Sequence, residues 1–271
     1  MIIALQGELG SFHHAAAEQF FARHDFEVQG HGSFRAVFES LMSGASDYAV
    51  VAVENSLYGS IHETFDQLLR HDCSIIGEIT LPVHQCLLVP VGVSLGAVRE
   101  VASHPAALDQ CRDWLDTHLP GAARREHADT AGAAAELAAS GRTDAAAIAS
   151  ARAAELHGLT VLAPNIEDEP DNVTRFVVLS RTPQAVAQAN KASLVLITDH
   201  QPGALHEALG IISANHSNMT KIESRPVRGQ PFRYQFIIDV MADQTQLISL
   251  CHQLEEAGCR VQVLGHYRAA R

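Results

Sequence analysis

The sequence predicts an α/β protein in two parts, a long region of alternating strands and helices and then a compact βαββαβ unit. Continuous apolar runs such as Tyr48–Val53 are typical of strands buried on both faces, and helix-period segments such as Ala15–Arg23 alternate with them. This alternation is typical of α/β folds with largely parallel sheets. After the polar stretch at 180–191 (SRTPQAVAQANK), the order of elements predicts a ferredoxin-like module of about 75 residues.

In the first part, short apolar runs predict the strands, and segments with an apolar residue every three or four positions predict the helices. The predicted strands are Ile2–Leu5, Tyr48–Val53, Ile75–Leu81, Gln85–Pro90, Val98–Ser103, Ala145–Ala149, Leu159–Leu162 and Val173–Leu179. The predicted helices are Ala15–Arg23, Ala36–Met42, Ala106–His118, Ala131–Ala139 and Ser150–His157. The second part is predicted as Ala192–Thr198 (strand), Gly203–Ala214 (helix), Met219–Val227 and Phe232–Val240 (strands), Gln244–Ala257 (helix) and Cys259–His266 (strand).

Composition narrows the class of protein. The 271 residues carry a formal net charge of −12, which disfavours nucleic acid and anionic lipid as partners. No apolar run approaches the roughly 18–20 residues that span a bilayer, and the first residues lack the basic start of a signal peptide. The five cysteines form no CxxC pair, which indicates reduced thiols. We therefore expect a cytoplasmic location.

No cofactor or metal is expected. The sequence contains no HExxH, no P-loop, no GxSxG and no complete GxGxxG. His13 and His14 are adjacent on a predicted helix and point to different sides, so they are poorly placed to share one metal ion.

Four loops after predicted strands carry candidate functional residues, because α/β sheets bind ligands at the carboxyl ends of their strands. The first, Gly7–Ser11, precedes a helix and permits an anion to approach, although an ordinary turn is the favoured interpretation. The second, Glu54–Ser60, places three polar side chains directly after a buried strand. That pattern fits a ligand site at least as well as a turn that caps the next helix.

The third loop, Ser103–Pro105, begins a predicted helix. Ser103 either caps that helix or offers its hydroxyl to an anion, and Gln110 lies about one and a half turns further on. The fourth loop is Asn172–Phe176 (NVTRF). The planar guanidinium of Arg175 suits a carboxylate ligand, although on pattern alone a salt bridge with a nearby acid is favoured.

Together these segments resemble prephenate dehydratase. The matching stretches are GELGSFHHAA, VAVENSLYGSIHETFDQLL, ITLPVHQCLL, VASHPAALDQC, AAIASARAAELHGLTVLAPNIED and NVTRF. The C-terminal part resembles the regulatory ACT domain of these enzymes, through PGAL at Pro202–Leu205 and NMTKIESRP at Asn218–Pro226. The likeness covers nearly the whole chain, and the combination and order of the motifs are specific.

The resemblance implies the fold and the domain boundaries. It implies a bilobed catalytic domain at residues 1–180, similar to periplasmic binding proteins, with the active site between the lobes. One lobe is expected at about residues 1–78 and 164–180, and the other at about 79–163. A linker at 181–191 and an ACT domain at 192–271 are expected to follow.

The resemblance also implies an activity, the decarboxylating dehydration of prephenate to phenylpyruvate in L-phenylalanine biosynthesis. Aromatisation drives this reaction, so it needs no cofactor. Thr174 is implied as the catalytic residue. The implied substrate-binding residues are Arg175, Glu54, Asn55, Ser56, Ser103, Gln110, Asn172 and Phe176.

The implied regulation is feedback by L-phenylalanine, bound between ACT domains of neighbouring subunits in a homodimer or homotetramer. The implied effector-binding residues are Pro202, Gly203, Ala204, Leu205, Glu223, Ser224, Arg225 and Pro226.

Two positions depart from the family. His13 stands where serine is usual and is expected to add a titrating group near the cleft, and His206 replaces a bulkier apolar or aromatic residue.

Two other functions stay open at the level of sequence. Arogenate dehydratase acts on the amino analogue of prephenate, and the sequence does not separate the two substrates. A non-catalytic small-molecule sensor would also suit two lobes like those of binding proteins. Thr174 within an intact NVTRF favours an enzyme.

Overall fold

A computed structural model describes residues 1–227 and 229–270. Arg228 and Arg271 fall within the expected ACT domain but lie outside the described residues. The chain divides into two compact units. The first contains Met1–Gln67 and Ile79–Phe176, and the second contains Leu68–Glu78 and the chain from Val177 onward.

The strands and helices up to residue 180 alternate as expected. In chain order they are β1 (Ile2–Gln6), α1 (Phe12–Phe20), β2 (Glu27–His31), α2 (Phe34–Ser43), β3 (Tyr48–Asn55), β4 (Gly59–Ser60), α3 (His62–Leu68), β5 (Ser74–Pro82), β6 (Cys86–Val89), β7 (Glu100–Ser103), α4 (Pro105–Gln110), α5 (Arg112–His118), β8 (Ala123–Glu126), α6 (Thr130–Ser140), β9 (Ala145–Ala149), α7 (Ala151–His157), β10 (Thr160–Ala163) and β11 (Val173–Ser180). A 3-10 turn at Leu95–Ala97 precedes β7.

These strands form two sheets. The first sheet has the order β2-β1-β3-β11-β5, with β4 paired to β3, and the second has the order β10-β6-β9-β7-β8. Strand β1 runs parallel to β2 and β3, and β7 runs parallel to β8 and β9. Strand β6, however, runs antiparallel to both β9 and β10. The second sheet is therefore mixed rather than largely parallel, because apolar patterning reports burial and not strand direction.

Three differences from the expected elements have local causes. The expected helix at 106–118 is two helices, because the backbone at Cys111 leaves helical geometry with φ −115° and ψ 20°. Strands β2 and β8 were not predicted, because both lie at sheet edges and carry mostly polar, exposed residues. Helix α3 was not predicted either; it spans only seven residues.

The second unit contains the βαββαβ order that the sequence predicts. Its elements are β12 (Lys191–Ile197), α8 (Ala204–Ala214), β13 (Met219–Pro226), β14 (Tyr234–Met241), α9 (Gln244–Glu256) and β15 (Arg260–Tyr267). The strands form an antiparallel sheet in the order β13-β14-β12-β15. Leu194, Ile238 and Leu250 are fully buried in its core. A capping box between Asp243 and Gln246 fixes the start of α9.

A buried ion pair lies at the start of β12. Lys191, the last residue of the expected linker, already belongs to this strand, and its Nζ donates to both carboxylate oxygens of Glu78 at 3.0 and 2.9 Å. Both side chains are almost completely buried, which accounts for a lysine in an otherwise apolar strand.

Candidate active site

The first unit contains a cavity of about 500 Å³. Residues at the ends of β1, β3 and β11 line it on one side, and residues that follow β7 and β8 line it on the other. Both sheets therefore contribute residues to one cavity, which lies at the strand ends and adjoining loops where α/β folds bind ligands.

Thr174 and its neighbours on β11 alternate between two faces of the strand. Thr174 and Phe176 line the cavity, whereas Arg175 does not. The Nε and Nη2 atoms of Arg175 instead donate to Oε2 of Glu54 at 3.2 and 3.1 Å. The favoured sequence interpretation was a salt bridge to a nearby acid. A salt bridge is present, but its partner is Glu54, 121 residues away.

Asn55 fixes the hydroxyl of Thr174. Its Nδ2 donates to Thr174 Oγ1 at 2.9 Å and to Asn172 Oδ1 at 2.7 Å. Its Oδ1 accepts the backbone N–H groups of Leu57 and Tyr58 at 3.0 and 3.1 Å. Since backbone N–H groups can only donate, they determine which end of the Asn55 amide is oxygen. Thr174 Oγ1 therefore accepts from Asn55 and keeps its own proton for donation.

Ser56 joins the loop after β3 to the start of β11. Its Oγ donates to the carbonyl of Asp171 at 3.2 Å and accepts from the N–H of Val173 at 2.9 Å. Together with the backbone bond from Ser56 N–H to the Val173 carbonyl at 2.8 Å, these bonds hold the two loops in register. Ser56 and the fully buried Asn172 lie beside the cavity and are not part of its lining.

Of the two interpretations that the sequence leaves open for Ser103, capping of the following helix is wrong. The cap is His104, whose Nδ1 accepts from the N–H of Ala106 at 3.2 Å. Ser103 is fully buried, and its Oγ donates to the carbonyl of Ile148 on the neighbouring strand at 2.6 Å. Its hydroxyl proton is therefore occupied within the sheet.

Gln110 lines the cavity together with Gln85, which was not among the candidates. Gln85 Nε2 donates to Gln110 Oε1 at 3.1 Å, and the Gln85 N–H donates to Glu167 Oε2 at 2.8 Å. Gln85 Oε1 is buried and finds no hydrogen-bond partner among the described residues. A buried acceptor of this kind is costly unless a ligand supplies the donor. The only sequence signal was the place of Gln85 in the ITLPVHQCLL stretch.

Helix starts supply the positive potential of the cavity. Among the described residues that line it there is no Lys or Arg. The N-cap residues of α1, α2 and α6, which are Ser11, Ser33 and Asp129, all line the cavity. The free N–H groups and aligned dipoles of such helix starts favour anions. The acidic side chains of Asp129 and Glu63 oppose this field.

Glycine in the first loop has a structural role. Gly10 has φ +90°, and a Cβ atom at this position would lie 2.8 Å from the Cα of Ala153 on α7. Ser150 Oγ also donates to the Gly10 carbonyl at 2.6 Å. The loop is therefore a turn that lets α7 approach closely. Its residues Gly7 and Ser11 also line the cavity, so the interpretation as a turn and the interpretation as an anion site are compatible.

His13 lines the cavity but does not titrate near neutral pH, contrary to expectation. Burial lowers the pKa of His13 to about 3, and the Nε2 atom accepts from the N–H of Ala52 at 3.1 Å. The imidazole is therefore neutral at physiological pH. Burial also lowers the pKa of His104, although the nearby carboxylates of Asp129 and Glu126 partly oppose this.

The expected effector residues separate into two groups. Gly203, Ala204 and Leu205 line a cavity of about 280 Å³ in the second unit, where Gly203 caps α8 with φ +89°. His206 also lines it, whereas Pro202, between the lining residues Gln201 and Gly203, does not. Glu223, Ser224, Arg225 and Pro226 end strand β13 and do not line this cavity.

The described residues contain no group of three His, Cys, Asp or Glu side chains arranged to hold a metal ion. The five cysteines carry free thiols. None of the described helices has both the length and the apolar character needed to cross a membrane.

Comparison with known proteins places the chain in a family. The family model "Prephenate dehydratase" matches residues 3–184. The chain belongs to the prephenate dehydratase family. It is 41% identical over 279 residues to arogenate dehydratase/prephenate dehydratase 2 of Arabidopsis thaliana, a chloroplastic protein. The matched region covers 98% of this chain and 72% of that relative.

Two solved structures share the whole fold. Prephenate dehydratase from Arthrobacter aurescens in complex with L-Phe has a TM-score of 0.89 and 30% identity, with 99% of this chain and 90% of that chain covered. A protein described as a novel type of quorum quenching acylase, GqqA, has a TM-score of 0.89 and 33% identity, with 99% and 98% covered. The expected fold class, a bilobed α/β catalytic domain followed by a ferredoxin-like unit, is confirmed, and the chain is a lyase of the dehydratase type.

Proposed function

We propose that this chain converts prephenate to phenylpyruvate, with Thr174 as the catalytic residue. The observation that carries the proposal is the hydroxyl of Thr174, which faces the cavity while Asn55 donates to its oxygen at 2.9 Å. A hydroxyl that accepts one hydrogen bond becomes a better donor in the next, because the two bonds polarise each other.

The chemistry needs a donor at one oxygen. As the carbon–carbon bond to the ring carboxylate breaks, its electron pair enters the ring and carbon dioxide leaves. The bond from the ring to its hydroxyl breaks at the same time, and the departing hydroxide takes up one proton and leaves as water. Thr174 donates to this oxygen as negative charge develops, so its hydrogen bond is strongest in the transition state. Solvent restores the proton.

Groups within the cavity explain how a chain of net charge −12 can bind a substrate with two negative charges. Solvent ions screen the net charge beyond about 8–10 Å, whereas the starts of α1, α2 and α6 act within the cavity. Phe176 and Phe34 offer apolar surface to the substrate ring, and Gln110 with Gln85 offers polar contacts.

The remaining substrate-binding predictions become supporting roles in this proposal. Asn55 and Asn172 orient Thr174, and Ser56 holds the loop that carries Asn55. Arg175 and Glu54 form a salt bridge behind the cavity wall, and Ser103 fixes the sheet beneath α4.

Arogenate is the alternative substrate, and an amide-cleaving acylase is a second function to test, since GqqA carries that description. Cleavage of an amide by Thr174 would require a base beside its hydroxyl. The partner of Thr174 Oγ1 is the amide of Asn55, and His13 Nε2 is occupied by the Ala52 N–H. These contacts favour the dehydratase over the acylase.

Regulation belongs to the second unit in this proposal. L-phenylalanine binds where Gly203–Leu205 of one subunit meets Glu223–Pro226 of a neighbour, in a homodimer or homotetramer. The exposed loop at Pro202 and Gly203 supports this arrangement, because backbone N–H groups there can meet a carboxylate. The domain boundaries proposed are 1–180, 181–191 and 192–271. The free cysteines support a cytoplasmic location.

One assay tests the function. Purified protein is given prephenate, arogenate or an N-acyl amide, each with and without L-phenylalanine, and calorimetry measures binding of L-phenylalanine alone. We expect turnover of prephenate, inhibition by L-phenylalanine and saturable binding of it. Turnover of arogenate but not of prephenate would make arogenate the substrate, and amide cleavage without dehydration would overturn the proposal.

A further inference from the structure

His13 occupies an unusual place between the backbone and the cavity. Its Nε2 accepts from the N–H of Ala52 at 3.1 Å, and the side chain is buried and lines the cavity. The ring packs edge to face against Phe176 and Phe34, with centroid distances of 5.1 and 5.7 Å. The hydrogen bond and two aromatic neighbours therefore fix the ring's position.

The bond to Ala52 also determines which ring nitrogen carries the proton. A neutral imidazole has one acceptor nitrogen and one N–H donor. Because Nε2 is the acceptor, Nδ1 carries the hydrogen. Burial lowers the pKa of His13 to about 3, so this tautomer persists through the physiological range.

Nδ1–H is a donor without a protein acceptor. No hydrogen bond from Nδ1 is found to any residue within 1–227 or 229–270, and this atom is not among the fully enclosed polar atoms. His13 contacts Phe176, which shares a face of β11 with Thr174. His13 and Thr174 therefore line one cavity, which a bound ligand would share.

We propose that His13 is a substrate-binding residue, whose fixed Nδ1–H donates a hydrogen bond to a carboxylate oxygen of the substrate. This inference rests on the proposed dehydratase function and adds a residue to it. A neutral donor in a buried wall suits an anionic oxygen, because the bond to a charged acceptor is the stronger kind. Unlike a cation, it adds no ion pair that must be broken when the product leaves.

Two substitutions separate this role from a structural one. In His13→Gln, the amide oxygen can still accept from Ala52 N–H, whereas the donor at the Nδ1 position is lost. In His13→Asn, the shorter amide can place a donor near the Nδ1 position, but it no longer reaches Ala52. His14→Asn is the matched control, because its amide oxygen can replace the Nδ1 atom that accepts from Gly10 N–H at 3.0 Å and His14 does not line the cavity.

The variants are compared by their KM for prephenate and their melting temperature. We expect His13→Gln to raise KM roughly tenfold or more, the loss typical of a hydrogen bond to a charged group, while its melting temperature stays near that of the wild type. His13→Asn should recover much of the KM and melt several degrees lower, since the buried Ala52 N–H loses its acceptor. His14→Asn should leave KM unchanged.

The outcomes distinguish this inference from the function on which it rests. If the wild type is active and His13→Gln has the same KM, the proposed role of His13 is overturned while the dehydratase function stands. A rise in KM for His13→Asn without one for His13→Gln would also overturn it. A wild type without turnover of prephenate or arogenate would overturn both.

Discussion

The two cavities differ in how much of a binding site one chain supplies. The cavity of about 500 Å³ presents polar groups that are already hydrogen-bonded into place, among them Thr174, Asn55 and Gln85. The cavity of about 280 Å³ is lined largely by exposed or half-buried residues such as Gly203, and the Glu223–Pro226 segment is not part of it. The first is organised for chemistry within one chain. The second has the character of half a site, to which a neighbouring subunit adds the rest in the proposed regulation.

The largest expected effect is that of removing the Thr174 hydroxyl, which should impair the first cavity and leave the second unchanged. Thr174→Ala should lower kcat for prephenate by about 10²–10⁴-fold, the range typical of an acid that assists a leaving group. Thr174→Ser retains the hydroxyl and should keep much of the activity. Binding of L-phenylalanine, measured by calorimetry, should be the same in both variants. Full turnover by Thr174→Ala would show that the preorganised hydroxyl is not catalytic.

The opposite face of β11 gives a smaller expected effect. Glu54→Gln and Arg175→Lys both weaken the salt bridge, of which the arginine side chain is 12% exposed and the glutamate side chain 36% exposed. Because the pair is partly screened by solvent, each change should cost about 1 kcal/mol or less and lower the melting temperature by a few degrees.

The pair of variants also tests whether Arg175 binds substrate. A structural role predicts similar KM values for prephenate in Glu54→Gln and Arg175→Lys. A sharp rise in KM confined to Arg175→Lys would show that the guanidinium reaches the substrate, as the resemblance to the family first implied.

A further expected effect is on the pH dependence of folding stability. His13 has a pKa of about 3 when folded and an ordinary value of 6.5, so the unfolded chain binds the proton more readily between these values. The contribution of His13 to folding stability is therefore fully present well above pH 6.5 and is lost as the pH drops toward 3. From pH 6.5 to 5 the loss from this residue is roughly 1–2 kcal/mol.

Denaturant unfolding at several pH values measures that loss. His13→Gln should show a shallower decline below pH 6.5 than the wild type, since its amide does not titrate. Identical slopes would mean that His13 is not held neutral by burial. Other buried histidines, including His14, contribute equally to both proteins and cancel in the difference.

Sequence alone predicted the elements with strong periodicity and the segments that form the site. Buried runs such as Tyr48–Val53 became central strands, and the βαββαβ order of the second unit was correct. The sequence could also have predicted which residues of β11 share a face, because neighbouring residues of a strand face opposite sides. Applied to NVTRF, it separates Thr174 from Arg175.

What sequence could not provide were contacts between distant residues. Ser103 hydrogen-bonds to Ile148, 45 residues away, and His13 hydrogen-bonds to Ala52, 39 residues away. Gln85 joins the site only because the chain after β5 passes the cavity. Such pairings depend on strand order and direction, which apolar patterns do not encode.

A double-mutant cycle of Asn55→Asp and Thr174→Ala tests the central claim most directly. Asp at position 55 keeps the oxygen that accepts from Leu57 and Tyr58 but cannot donate to Thr174, so Asn55→Asp alone should lower kcat strongly. If Asn55 acts through the Thr174 hydroxyl, Asn55→Asp should cost little further activity in the Thr174→Ala background. If the losses of kcat in the two single variants multiply in the double variant, Asn55 does not act through the Thr174 hydroxyl, and the central claim is contradicted.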